Sequence, residues 1–174
     1  MKRLPTPFSP PRNTTLKVPE IQMARTIDDP VFGVMRFDYL WEGQITLPHL
    51  GEMKLSVSTL GGRDPEEWQK SAFRQLVDAI DEKLVEEIRA LIADYAASQK
   101  RNGLLEDSSC EIPESSHDVL LDDARMFIPP VKGAAFDLVL DCEVDWALEH
   151  GIQVMFYEGK PVRASQIGDD DVDP

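Results

Sequence analysis

The stretch 64-DPEEWQKSAFRQLVDAIDEKLVEEIRALIADYAAS-98 decides how the rest of the chain is read. Phe73, Leu76, Val77, Ile80, Leu84, Val85, Ile88, Leu91, Ile92 and Tyr95 recur mostly at helical spacings, an apolar stripe with charges opposite. Asp64 suits a cap, Pro65 the first helical position, and Glu66 and Glu67 favour the positive end of the helix dipole. Asn102-Gly103 stops the run. One unbroken helix over 65–99 would be about 50 Å long at about 1.5 Å per residue and would overhang a small domain. A kink or break near Asp78–Lys83 is therefore expected.

Strand patterns lie on both sides. Before the helix, 29-DPVFGVMRFDYLWEGQITLPHLGEMKLSVSTLGG-62 alternates imperfectly through Val31, Val34, Phe37, Tyr39 and Trp41, then through Ile45 and Leu47, then Leu55 and Val57. Turns fall at Glu42-Gly43 and His49–Glu52, which makes an antiparallel meander with one buried face. After it, Ser115–Asp118 suits a cap for a short helix through Val119–Leu121. Met126–Ile128, 135–143, 151–159 and 161–168 then read as strands. Strands, a helix, then strands again predict an α+β domain: a mostly antiparallel sheet of five to seven strands with one long or broken helix packed on one face.

Composition bounds the rest. A chain of 174 residues, 42% hydrophobic, fits a single domain with its own core, expected over 28–168. Residues 1–27 hold five prolines and five basic residues but no apolar run, and read as a mobile, extended leader without targeting character. The tail 169–174 carries four aspartates and should not order. No run approaches the roughly 18 apolar residues of a membrane span. Net charge is −14; residues 1–27 carry +4, so the remainder carries −18, a body that repels nucleic acid and anionic membrane and attracts basic partners. Two cysteines, Cys110 and Cys142, suggest a reducing compartment, and a cytoplasmic location is expected.

Three pieces in order carry a resemblance: 29-DPVFGVMRFDYLWEG-43, the acidic helix ending 93-ADYAAS-98, and 136-FDLVLDCEVDWALEHGIQVMFYEG-159. Together they resemble an uncharacterised bacterial domain family with an F-G element followed by W-x-G, and a closing Cys followed by W-x-x-E-H-G. Similar proteins are associated with immunity to polymorphic toxins, so the resemblance implies an immunity-like accessory protein. This chain departs from the pattern where an acidic residue usually follows the tryptophan: Trp146 is followed by Ala147 and Leu148. That departure counts against a catalytic role for the loop.

The densest cluster of reactive side chains is 141-DCEVDWALEH-150. A zinc site needs about three or four ligands rich in His or Cys, and here His150 would have to recruit His49 or His117. Calcium wants more oxygens in a different spacing. Asp141, Asp145, Glu149 and His150 are the metal-ligand candidates, and Glu149 with His150 the acid/base candidates, of an enzyme reading. No nucleophile, phosphate loop or C-x-x-C accompanies them, and no cofactor is expected. The structural reading makes the segment an ordered turn with solvated carboxylates, Trp146 closing one edge of the core.

The favoured function is a non-enzymatic, acidic protein-binding module, an immunity protein covering a basic toxin. Its candidate surface comprises Glu66, Glu67, Asp78, Asp81, Glu82, Glu86 and Glu87, with Trp41, Trp68 and Trp146 as candidate aromatic anchors. A structural subunit assembling through sheet edges is a third reading.

Overall fold

The computed structural model describes residues 24–103, 113, 115–119, 121, 123–132, 136–144 and 151–167. Eight strands lie side by side in chain order: β1 (Arg25–Asp29), β2 (Gly33–Phe37), β3 (Trp41–Leu47), β4 (Gly51–Val57), β5 (Arg125–Ile128), β6 (Leu138–Cys142), β7 (Ile152–Tyr157) and β8 (Lys160–Gln166). Neighbours are antiparallel except β4 and β5, which run parallel. Two helices, α1 (Glu67–Ala79) and α2 (Glu82–Arg101), lie in the connection between that parallel pair. The α+β reading stands; the count of five to seven strands does not. The additional strand is β1, which takes Arg25, Thr26 and Ile27 out of the segment read as leader. Near the short helix expected through Val119–Leu121, the described residues show a 3-10 turn, Ser116–Asp118, with Ser115 and Asp118 forming a capping box; Leu120 lies outside them.

Period-two patterning sorts the strands' side chains onto two faces. On one, Phe37, Trp41 and Val57 align across β2, β3 and β4, and Val57 aligns with Ile128 on β5. Leu138 aligns with Phe156 on β6 and β7. All six are buried and share one apolar cluster with Phe73, Leu76, Leu84, Ile88 and Ile92 of the helices. Each such side chain contributes about 1.5–3 kcal/mol on burial. On the other face Arg36, Glu42, Ser56, Phe127, Val139, Met155 and Arg163 align. Val139 and Met155 are buried there but lie outside the helix-containing cluster.

Polar contacts fix α1. Gln69 donates through Nε2 to the carbonyls of Ser58 (2.7 Å) and Pro129 (2.8 Å), joining the chain ends beyond β4 and β5. Asp29, at the end of β1, accepts from the amides of Val31 (2.9 Å) and Phe32 (3.2 Å) and pairs with Lys70 at 2.8 Å. Burial pushes the Asp29 carboxyl up, but the Lys70 hydrogen bond, the two amides and the Lys70 charge outweigh it and hold the group below its ordinary value. Phe32 meets Phe73 edge-on at 5.3 Å. Gly159, in the β7–β8 turn at φ +74°, sits so close to α1 that a Cβ would lie 2.8 Å from the Gln75 carbonyl oxygen. No helix among the described residues is long and apolar enough to cross a membrane.

Candidate functional site

The break between the helices falls inside the window that the sequence marks. Ile80 leaves helical geometry with its N–H still donating to Leu76 O (2.9 Å). Asp81 then starts the second helix: its backbone is extended and its carboxylate accepts from the Leu84 amide at 2.8 Å. The joint brings together Asp81, Glu82 and Glu86, which with Lys83 and His49 line a shallow open depression of about 690 Å³. His49 comes from the β3–β4 turn, where it holds a left-handed conformation at φ 61°. Lys83 is the one strong cation in this lining, and Glu87 holds it at 3.3 Å, so carboxylates outnumber it. Asp78, one turn earlier, is exposed as well. Glu86 is steadied by a hydrogen bond from the Ser116 hydroxyl and by Arg89 at 3.9 Å. Acidic groups at a helix N-terminus also stabilise the helix itself, so part of their effect is local.

The remaining candidates divide. Glu66 and Glu67 lie at the opposite end of α1, about 17 Å from Asp78 at about 1.5 Å of rise per residue. Glu66 forms a capping box with Gln69 and accepts from the Trp68 indole at 3.1 Å, and Glu67 pairs with Arg74 at 2.8 Å. Both therefore serve local structure away from the joint. Trp41 has no exposed surface: its indole donates to Arg63 O at 2.7 Å, and the Arg25 guanidinium lies 5.3 Å over its ring. It is a core residue rather than an anchor. Trp68 is half-buried against the core. Trp146 lies outside the described residues. Among the described residues the most exposed large aromatic is Tyr39, 89% accessible between β2 and β3, which alternation alone placed among the strand residues. The sequence raised His49 as a turn residue and a metal ligand, Lys83 only as the edge of the expected break and Ser116 only within the expected cap, none of them as part of a binding surface. The position of a turn in the chain says nothing about which helix end it approaches.

The 141–150 segment is only partly described: Asp145, Glu149 and His150 lie outside the described residues, whereas Asp141 and Cys142 belong to β6. They face opposite sides of the strand. Asp141 pairs with Arg125 on β5 at 3.2 Å. Burial raises its pKa above the usual carboxylate value, against the lowering effect of Arg125. Cys142 is buried in the core, and burial, helped by the Asp141 charge, pushes its thiol up to about 12. A thiol so held is protonated and unreactive at neutral pH. Asp137 is a further buried acid: it accepts from the Glu158 amide at 3.2 Å, while its Oδ1 has no hydrogen-bond partner, and burial raises its pKa. Among the described residues no group of three or more His, Cys, Asp or Glu could hold a metal ion.

A family described as a domain of unknown function, DUF6985, matches residues 31–173. No curated protein and no solved structure matches the chain.

Proposed function

We propose that this chain, which belongs to the DUF6985 family, is a non-enzymatic protein-binding module that receives a basic partner at the α1–α2 joint. The observation that carries the reading is the open depression lined by Asp81, Glu82 and Glu86, beside the exposed Asp78, on a chain of net charge −14. A field of that sign accelerates encounter with a basic surface and rejects acidic ones. The biological form we favour is an immunity protein that covers the site of a basic toxin.

The test is charge reversal with a built-in control. Asp78→Lys, Glu82→Lys and Glu87→Lys are combined in one variant; Asp81 is left alone because it caps α2. A second variant carries Glu67→Lys at the far end of α1. Basic proteins from the source cell are captured on each at low and moderate salt. The proposal expects one basic protein to be held stoichiometrically at low salt, released by salt, lost by the joint variant and kept by the control. Equal retention by both variants, or none by the parent chain from cells shown to express a neighbouring toxin, refutes it.

A further inference from the structure

The two ends of the sheet are not alike. β8 lies along α2, whereas among the described residues β1 pairs as a strand with β2 alone and ends the strand order. β1 is nevertheless firmly held. Arg25 donates to Gly62 O (3.2 Å) and pairs with Asp64 (2.7 Å), Ile27 packs against the core, and Asp29 pairs with Lys70. Its five residues keep unbroken register with β2, Arg25 opposite Phe37 through Asp29 opposite Gly33. A straight, pinned edge without a bulge or an internal proline lacks two of the usual obstacles to pairing with another strand.

We propose that β1 is a self-association edge, two copies of the chain pairing their Arg25–Asp29 strands antiparallel about a two-fold axis at Ile27. The sequence of the strand, R-T-I-D-D, selects this partner and this direction. In that register Arg25 of each copy faces Asp29 of the other, Thr26 faces Asp28, and Ile27 faces itself. No like charges meet directly, whereas parallel in-register pairing would set Arg25 on Arg25 and both aspartates on their own copies. The arrangement is isologous, as a closed two-fold dimer requires. Arg25 and Asp29 keep their partners within the chain, so the cross-copy pairs are charge-matched neighbours rather than new bridges. One strand pair is a small interface and each chain carries net charge −14, so the dimer is weak, concentration-dependent and strengthened by moderate salt. That salt dependence is opposite in sign to the one expected for a basic partner at the joint, and the two proposals stand independently.

Sedimentation equilibrium of the full chain from micromolar to near-millimolar concentration, at low and moderate salt, tests it. Thr26 is exposed and faces Asp28 of the second copy twice per dimer. Thr26→Lys should tighten and Thr26→Glu weaken the dimer, each by about two- to thirtyfold. Thr26 also faces Arg36 on β2, so an effect through stability alone would favour Thr26→Glu and move in the opposite sense. A monomer at every concentration overturns the proposal, whatever else then covers the edge. So does a dimer that both variants leave unchanged.

Discussion

Replacing Lys70 by methionine should destabilise this protein far more than loss of an ordinary surface ion pair. The Asp29 carboxylate is 5% exposed and Lys70 18%, at 2.8 Å, so the pair is largely out of water. Removing one partner of a buried pair typically loses about 3–5 kcal/mol because the other charge stays behind uncompensated. Asp29 keeps the Val31 and Phe32 amides, which brings the expected loss to the lower end, about 3 kcal/mol or about 6–12 °C in Tm. Urea unfolding at neutral pH measures it. Adding Asp29→Asn to the Lys70→Met chain should recover part of the loss, since an amide leaves no stranded charge. The pH dependence follows from the lowered Asp29 pKa. Stability from the ionised carboxylate is fully present above the ordinary value of 3.8 and is lost as pH falls through the lower folded value. The gap between parent and Lys70→Met should therefore be widest near neutrality and shrink in acid. A loss below about 1 kcal/mol at neutral pH, the level of an exposed pair, would refute the reasoning.

Three further substitutions probe other contacts. Gly159→Ala forces a side chain into a left-handed backbone and within 2.8 Å of the Gln75 carbonyl oxygen, and should lose at least about 2 kcal/mol in urea unfolding. Gly103→Ala, also at positive φ but with nothing within 4 Å, should lose only about 1 kcal/mol. Asp137→Asn should stabilise the fold: the raised pKa means that native stability falls as pH climbs from 3.8 through the folded value. Removing the stranded charge should yield about 1–2 kcal/mol in thermal melts at neutral pH and little difference in acid.

What could be read in the sequence was what neighbours in the chain determine. The apolar stripe located both helices, and the 78–83 window contained their break, because Asp81 caps locally. Alternation put Cys142 inside and Asp141 outside on β6. β1 escaped because R-T-I-D-D has a single apolar residue, and what holds it comes from far along the chain: Gly62 O and Asp64, which receive Arg25, are invisible to local periodicity, as is Lys70. The parallel β4–β5 pairing escaped for the same reason. At the candidate site, charge patterning found Asp81, Glu82 and Glu86. It also grouped Glu66 and Glu67 with them, since composition ignores the length of α1. The buried state of Trp41 depends on the Arg63 carbonyl that receives its indole, a contact made across the fold.

The single parallel seam has a consequence for the order of folding. β1 to β4 form one run of chain neighbours and β5 to β8 another, each joined by antiparallel pairings. The Lys54–Val57 and Arg125–Ile128 ladder can close only after all of 58–124 has been gathered in. Loop closure of that length is entropically expensive and slow beside the hairpins on either side. Two half-sheets should thus nucleate separately, and the seam, with Gln69 bridging the Ser58 and Pro129 carbonyls, is the step that commits them to one another.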